Sequence, residues 1–120
     1  MTLQECYAAL GGDYQEVLGR LRSESLVQKF LLKFPDDPSY SLLETSLAAE
    51  NWPEAFRGAH TIKGVCQNLS FTALYRSSSQ LCDALRDGFH PQALPLAHQV
   101  EQDYRQTMAA IQAFRSSLPA

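Results

Sequence analysis

A chain of 120 residues, 45% of them hydrophobic, can bury a core without disulfides or a structural metal. One helical domain spanning 1–120 is therefore expected. A charged fraction of 19% and a net charge of -3 disfavour a nucleic-acid or anionic-membrane surface as the main partner and favour a protein or a small ligand. Cys6, Cys66 and Cys82 are odd in number and scattered, with no Cys-x-x-Cys pair, so neither a disulfide framework nor a zinc site is suggested and free thiols in a reducing compartment are expected.

The opening Met-Thr-Leu-Gln-Glu lacks a basic stretch followed by an apolar run, and no apolar run approaches the roughly 18 to 20 residues that span a bilayer. A soluble, cytoplasmic protein is the expectation. Nowhere does strand alternation appear between turn signals, whereas helical periodicity broken by Gly, Pro, Asp and Asn fills the chain, so the fold is predicted all-α. Leu3 to Leu10 forms a short helix closed by Gly11-Gly12, and Asp13 caps a second segment carrying Tyr14, Val17, Leu18 and Leu21. The pattern stalls near Ser23, itself a candidate cap. It then resumes with Leu26, Val27, Phe30, Leu31 and Phe34 as an inward stripe ending at Pro35. One kinked helix and two separate helices both fit Asp13 to Phe34.

Asp37-Pro38 reads as an N-cap followed by a first-turn proline, opening a helix with Leu42, Leu43 and Leu47 inward. Asn51-Trp52-Pro53 repeats that signal. The segment after Phe71 carries Leu74, Ser78, Leu81 and Leu85 and stops at Gly88. The last helix begins near Pro91, with Ala97, Val100, Tyr104, Thr107, Ile111, Phe114 and Leu118 alternating spacings of three and four as a bundle seam. Short loops around Asn51, Ser70 and His90 favour antiparallel neighbours. An up-and-down four-helix bundle follows, made by the helices starting near Pro38, Pro53, Thr72 and Pro91, or by three of these with the Ser23 to Phe34 helix. The N-terminal helices then cover one end.

The segment Trp52 to Leu69 carries the chemistry. At about 100° per residue, Phe56, Ala59, Ile62, Cys66 and Leu69 share one sector, with Trp52 and Val65 at its edges. His60, Lys63 and Gln67 share another, at i, i+3 and i+7, with Gly64 and Arg57 beside them. An exposed imidazole is largely neutral near neutral pH and so can act as a nucleophile, while a lysine one turn on offsets phosphate charge. Glycine within a helix costs about 1 kcal/mol relative to alanine, so Gly64 needs a compensating use. Room for another protein's loop beside His60 is one; close helix packing is the other, for which the inward Gly58 is better placed.

Ala59 to Leu69, A-H-T-I-K-G-V-C-Q-N-L, resembles the signature of histidine-containing phosphotransfer (HPt) domains, an Ala-His-x-Leu-Lys-Gly core followed by an Asn-Leu-Gly-like ending. More loosely, the resemblance covers almost the whole chain, including the leading helices and the antiparallel bundle. It implies that His60 carries a phosphoryl group on Nε2, that Lys63 stabilises it, and that Gly64, with Gln67 and Arg57, belongs to the receiver-facing surface. Ile62 replaces the usual leucine, and Ser70 stands where glycine is common, which bears on the local turn.

Such domains are phosphocarriers rather than enzymes, with no cofactor of their own. The receiver brings the aspartate and Mg²⁺. Neither a G-x-x-x-x-G-K-[ST] nor a G-x-G-x-x-G loop occurs here, so phosphoryl groups must come from a sensor or hybrid histidine kinase or from a receiver domain, and a monomer is the simpler carrier. The rival reading is an adaptor that keeps the shape and binds a receiver without being phosphorylated. A di-metal bundle is disfavoured because Arg57 and Pro95, not glutamates, stand three residues before His60 and His98. His90 and His98 are expected in solvent.

Overall fold

The computed structural model describes residues 1–119. Among them are seven α-helices and no strand: α1 (Leu3–Leu10), α2 (Tyr14–Leu21), α3 (Glu24–Lys33), α4 (Ser39–Ala48), α5 (Trp52–Leu69), α6 (Thr72–Leu85) and α7 (Ala93–Ser117). A 3₁₀ turn, Phe34–Asp36, links α3 to α4. The choice left open between Asp13 and Phe34 resolves as two helices. Arg22 closes α2 in the left-handed conformation at φ 60°, and the Ser23 hydroxyl then accepts the Leu26 N–H to start α3.

Local chemistry accounts for most helix ends. Thr2 and Glu5 form a reciprocal capping box at α1. Asp13 and Asn51 accept the N–H groups of Glu16 and Glu54 at the starts of α2 and α5. Four boundaries differ from the sequence expectation. Pro35 does not end α3 directly, because the chain tightens into the 3₁₀ turn first. Pro38 is the residue before α4, not its first turn, while Asp37 still satisfies the Ser39 N–H at 2.8 Å. α6 ends at Leu85, three residues before Gly88, and α7 starts at Ala93 after a Pro91-Gln92 turn.

The long helices α5, α6 and α7 pack as successive antiparallel neighbours, and α4 runs antiparallel along α5. The fourth side of the bundle is shared. α4 covers the first half of α7, where Tyr40 stacks on Tyr104 with ring centroids 3.8 Å apart, and α1 covers the second half. There Gln106 donates to the Ala9 carbonyl at 2.7 Å and the Cys6 thiol points to the Ala110 carbonyl. α1, α2 and α3 thus gather over the end where α5 turns into α6, as expected.

Gly11-Gly12 makes that closure possible. Gly11 adopts φ 76°, and a Cβ on Gly12 would fall 2.7 Å from the Ser70 carbonyl oxygen. The two strands of chain exchange hydrogen bonds instead, Asp13 N to Ser70 O and Ala73 N to Gly11 O. Tyr7, Leu10, Val17, Val27, Leu31, Leu43, Phe71, Leu74, Leu81, Leu85, Val100 and Ile111 are fully buried in one continuous core. The expected α3 stripe divides. Val27, Leu31 and Phe34 face inward, but Leu26 and Phe30 are 40% and 39% exposed. The stripe's four apolar positions on the ten-residue α3, with Phe34 in the turn that follows it, span more than the one sector that the core covers.

Candidate functional site

Helix α5 is amphipathic over 18 residues, and its buried side, Ala55, Gly58, Ala59, Ile62, Cys66 and Leu69, fixes where the other side points. His60 stands at mid-helix on that other side, exposed, with Arg57, Gly64 and Gln67 exposed around it and Lys63 half-buried. The structure therefore brings His60, Lys63, Gly64, Gln67 and Arg57 onto one face. His90 and His98 lie exposed elsewhere, and His98 contacts Gln102 at 3.1 Å.

The surroundings of the imidazole are both apolar and cationic. The Phe56 ring lies 6.1 Å from the His60 ring, and the Arg86 guanidinium of α6 sits 5.5 Å from the centre of the same phenyl. Phe56 is half-buried, so it belongs to the rim of the site rather than wholly to the core sector assigned from its spacing. Burial pushes the Cys82 thiol up, and the charges of Arg86 and Lys63 oppose that shift. The ion pairs among the described residues join Arg20 to Glu16, Arg57 to Glu54, Arg86 to Asp83 and Arg105 to Glu101. Lys63 is in none of them, so its charge is uncommitted, whereas Arg57 is held by Glu54 at 3.1 Å.

Gly64 leaves a gap in the cover of this face. A Cβ there would meet nothing within 4 Å, while a Cβ at Gly58 would press on Leu43. The packing role belongs to Gly58, and Gly64 opens the surface one turn beyond His60. An exposed imidazole, an unpaired cation one turn away and clear space alongside are the parts that phosphoryl transfer to an imidazole needs.

Two features of this region escape sequence reasoning. One is the Phe56–Arg86 pair, which depends on how α6 lies against α5. The other is the closure of α5 by α2. Ser70 takes the left-handed conformation at φ 57°, and its hydroxyl donates to Glu16 at 2.7 Å and accepts from Arg20 at 2.9 Å. The unusual serine after Asn68-Leu69 thus keeps the turn that glycine would make. Among the described residues, no group of three or more His, Cys, Asp or Glu side chains converges to hold a metal ion, and no helix is long and apolar enough to cross a membrane.

A scan against protein-family models matches the Hpt domain over residues 25–114. No curated protein and no solved structure gave a significant match.

Proposed function

This chain belongs to the Hpt domain family, whose members are phosphocarriers of two-component signalling, and from that premise we propose that it is a phosphorelay intermediate whose phosphoacceptor is His60. The observation that carries the reading is the coincidence on α5 of an exposed imidazole, an unpaired Lys63 and the open space at Gly64. A receiver domain docks over this face and presents its aspartyl phosphate, with its own Mg²⁺. The Nε2 lone pair attacks phosphorus in line, a P–N bond forms as the bond to the aspartate oxygen breaks, and the receiver's carboxylate leaves with the electron pair. The ring keeps its proton on Nδ1 during attack. Lys63 offsets charge on the phosphoryl oxygens, and Gly64, Gln67 and Arg57 form the receiver-facing surface.

The reverse step returns the group to a response-regulator aspartate. Positioning and charge do the work, so the chain needs no nucleotide site of its own. A histidine kinase or hybrid kinase supplies the relay, and the chain acts in the cytoplasm as a monomer, as a single domain and without a cofactor of its own.

The test is transfer from a panel of phosphorylated receiver domains to the wild type and to His60→Gln, scored as acid-labile, base-stable label. Label on the wild type alone supports the reading. Receiver binding without label on either protein would leave a non-phosphorylated adaptor.

A further inference from the structure

His60 has no polar group to set its orientation. His98 shares a hydrogen bond with Gln102 at 3.1 Å, but among the described residues no hydrogen bond holds the His60 ring, and the Thr61 hydroxyl beside it turns back to the Arg57 carbonyl. An exposed histidine without such a partner turns about χ1 and χ2 among several wells. In-line attack on phosphorus rewards one orientation, with the reacting nitrogen close to the donor and its lone pair aimed along the breaking bond. What remains to hold the ring is packing.

Helix geometry places that packing on one side. Trp52, Phe56, His60 and Gly64 form one row at four-residue steps along α5, and side chains on a helix lean toward its N-terminus. The imidazole therefore leans over the Phe56 turn. There the Phe56 ring faces it, with centroids 6.1 Å apart and planes inclined by 40°. On the other side Gly64 contributes no side chain, and its Cβ position is open. The ring thus has a wall toward Phe56 and free space toward Gly64.

The wall is itself fixed. Phe56 is half-buried and packs against the core. The Arg86 guanidinium, at the end of α6, sits 5.5 Å from the centre of the same phenyl, within the range of a cation–π contact, and Asp83 holds that guanidinium at 3.0 Å. One turn earlier on α5, Trp52 stacks on Phe89 with ring centroids 4.5 Å apart, which ties the start of α5 to the chain just beyond Arg86. A phenyl anchored in this way does not follow the imidazole as it turns. It limits the turning.

We propose that Phe56, backed by Arg86, is a positioning residue for phosphoryl transfer, restricting the His60 ring to orientations that present a nitrogen on the open Gly64 side. Phe56 touches no reacting atom. Because it acts through His60, it governs the rate of attack on any donor, large or small, and leaves the affinity for a receiver domain unchanged. The proposal rests on the reading of His60 as the phosphoacceptor of a relay.

The experiment compares wild type, Phe56→Ala, Phe56→Tyr and Arg86→Met, the last changing only an exposed side chain. Labelling by potassium phosphoramidate, in which Nε2 bonds to phosphorus as ammonia leaves with its electron pair, measures attack without docking. Single-turnover transfer from a phosphorylated receiver over a range of receiver concentrations separates the maximal rate from the half-saturating concentration. Three-bond couplings to the His60 Cγ give the χ1 populations. In Phe56→Ala, phosphoramidate labelling and the maximal transfer rate should both fall about tenfold, with half-saturation within about twofold of wild type and the χ1 populations evened out. Phe56→Tyr should restore all three, and Arg86→Met should lose about threefold in the same two rates. Wild-type rates and χ1 populations in Phe56→Ala and Arg86→Met overturn the proposal, and Arg86→Met alone decides if Phe56→Ala does not fold. A loss confined to half-saturation, with phosphoramidate labelling at the wild-type rate, also overturns it, because Phe56 would then be a docking contact. A wild type labelled on His60 by phosphoramidate but by no receiver removes the relay, and the small-donor rates and χ1 populations still uphold or overturn the positioning role. Label from neither source overturns both.

Discussion

Gly58 of α5 rests directly on the Leu43 main chain of α4, so close that a Cβ would stand 3.0 Å from the Leu43 nitrogen and 3.1 Å from its Cα. Gly64, less than two turns later in the same helix, faces open space. The same residue type therefore answers two needs, and substitution separates them.

Gly58→Ala gains about 1 kcal/mol in helix propensity, but the new methyl must displace backbone, and overpacking of this kind costs about 1–3 kcal/mol. A net loss of about 1 kcal/mol is expected. Gly64→Ala keeps the propensity gain and should be more stable than wild type by up to about 1 kcal/mol. Urea denaturation reads both signs. Gly64→Gln should remain folded yet take phosphoryl groups from receivers at least tenfold more slowly, because its side chain fills the gap beside His60; wild-type transfer would assign Gly64 no part in access.

Ser70 holds a backbone conformation that a non-glycine residue adopts at a cost of about 1–2 kcal/mol, and its hydroxyl answers that cost through Glu16 and Arg20. Ser70→Ala keeps the strain and loses both bonds, so a loss of about 1–2 kcal/mol is expected. Ser70→Gly loses the same bonds but relieves the backbone, and should be milder by about 1 kcal/mol. Equal stability of the two variants would mean that the left-handed turn is not under strain.

The α5 face is legible in the amino-acid sequence because its signal is local. Side chains three, four and seven residues apart share a side of any helix, so the exposure of His60 and the burial of Gly58 follow from spacing. The helices themselves are equally plain, with caps such as Asp13, Ser23 and Asn51 in the expected places. Contacts between distant segments leave no such trace. The Arg20 and Ser70 side chains meet across 50 residues of sequence, and Phe30 cannot be told from a core residue because periodicity registers that a side chain is apolar, not whether a neighbouring helix covers it. The sharing of the fourth side of the bundle by α4 and α1 escapes for the same reason.

Stability at alkaline pH follows from the buried thiols and phenols. Burial raises Cys6 from its ordinary value near 9 to about 11 and Tyr40 from 10 to about 12. Cys66 and Tyr7 are pushed up as well by the same cause. Between the ordinary and the raised values the folded state holds protons that the unfolded chain has lost, so the contribution is fully present below pH 9 and declines as pH rises from there toward 11 and 12. Urea midpoints should be flat with respect to these groups up to about pH 8.5 and fall above it. The thiols should react with a disulfide reagent only as fast as the protein opens; rapid native-state labelling would contradict their burial.

Lys63 differs from the other cations near His60 because Arg57 and Arg86 are each held by a carboxylate, at 3.1 and 3.0 Å. A phosphoryl group on the imidazole would find Lys63 free to turn toward it without breaking an ion pair. Lys63→Ala should slow transfer from a phosphorylated receiver about tenfold, equivalent to about 1.4 kcal/mol of lost charge stabilisation, and Lys63→Arg should recover most of it. Both variants should melt close to wild type, since the ammonium bridges no pair of helices. Rapid-quench rates on the three proteins decide the point: equal rates would reduce Lys63 to a surface charge, and a loss that arginine cannot restore would locate its role in shape rather than in charge.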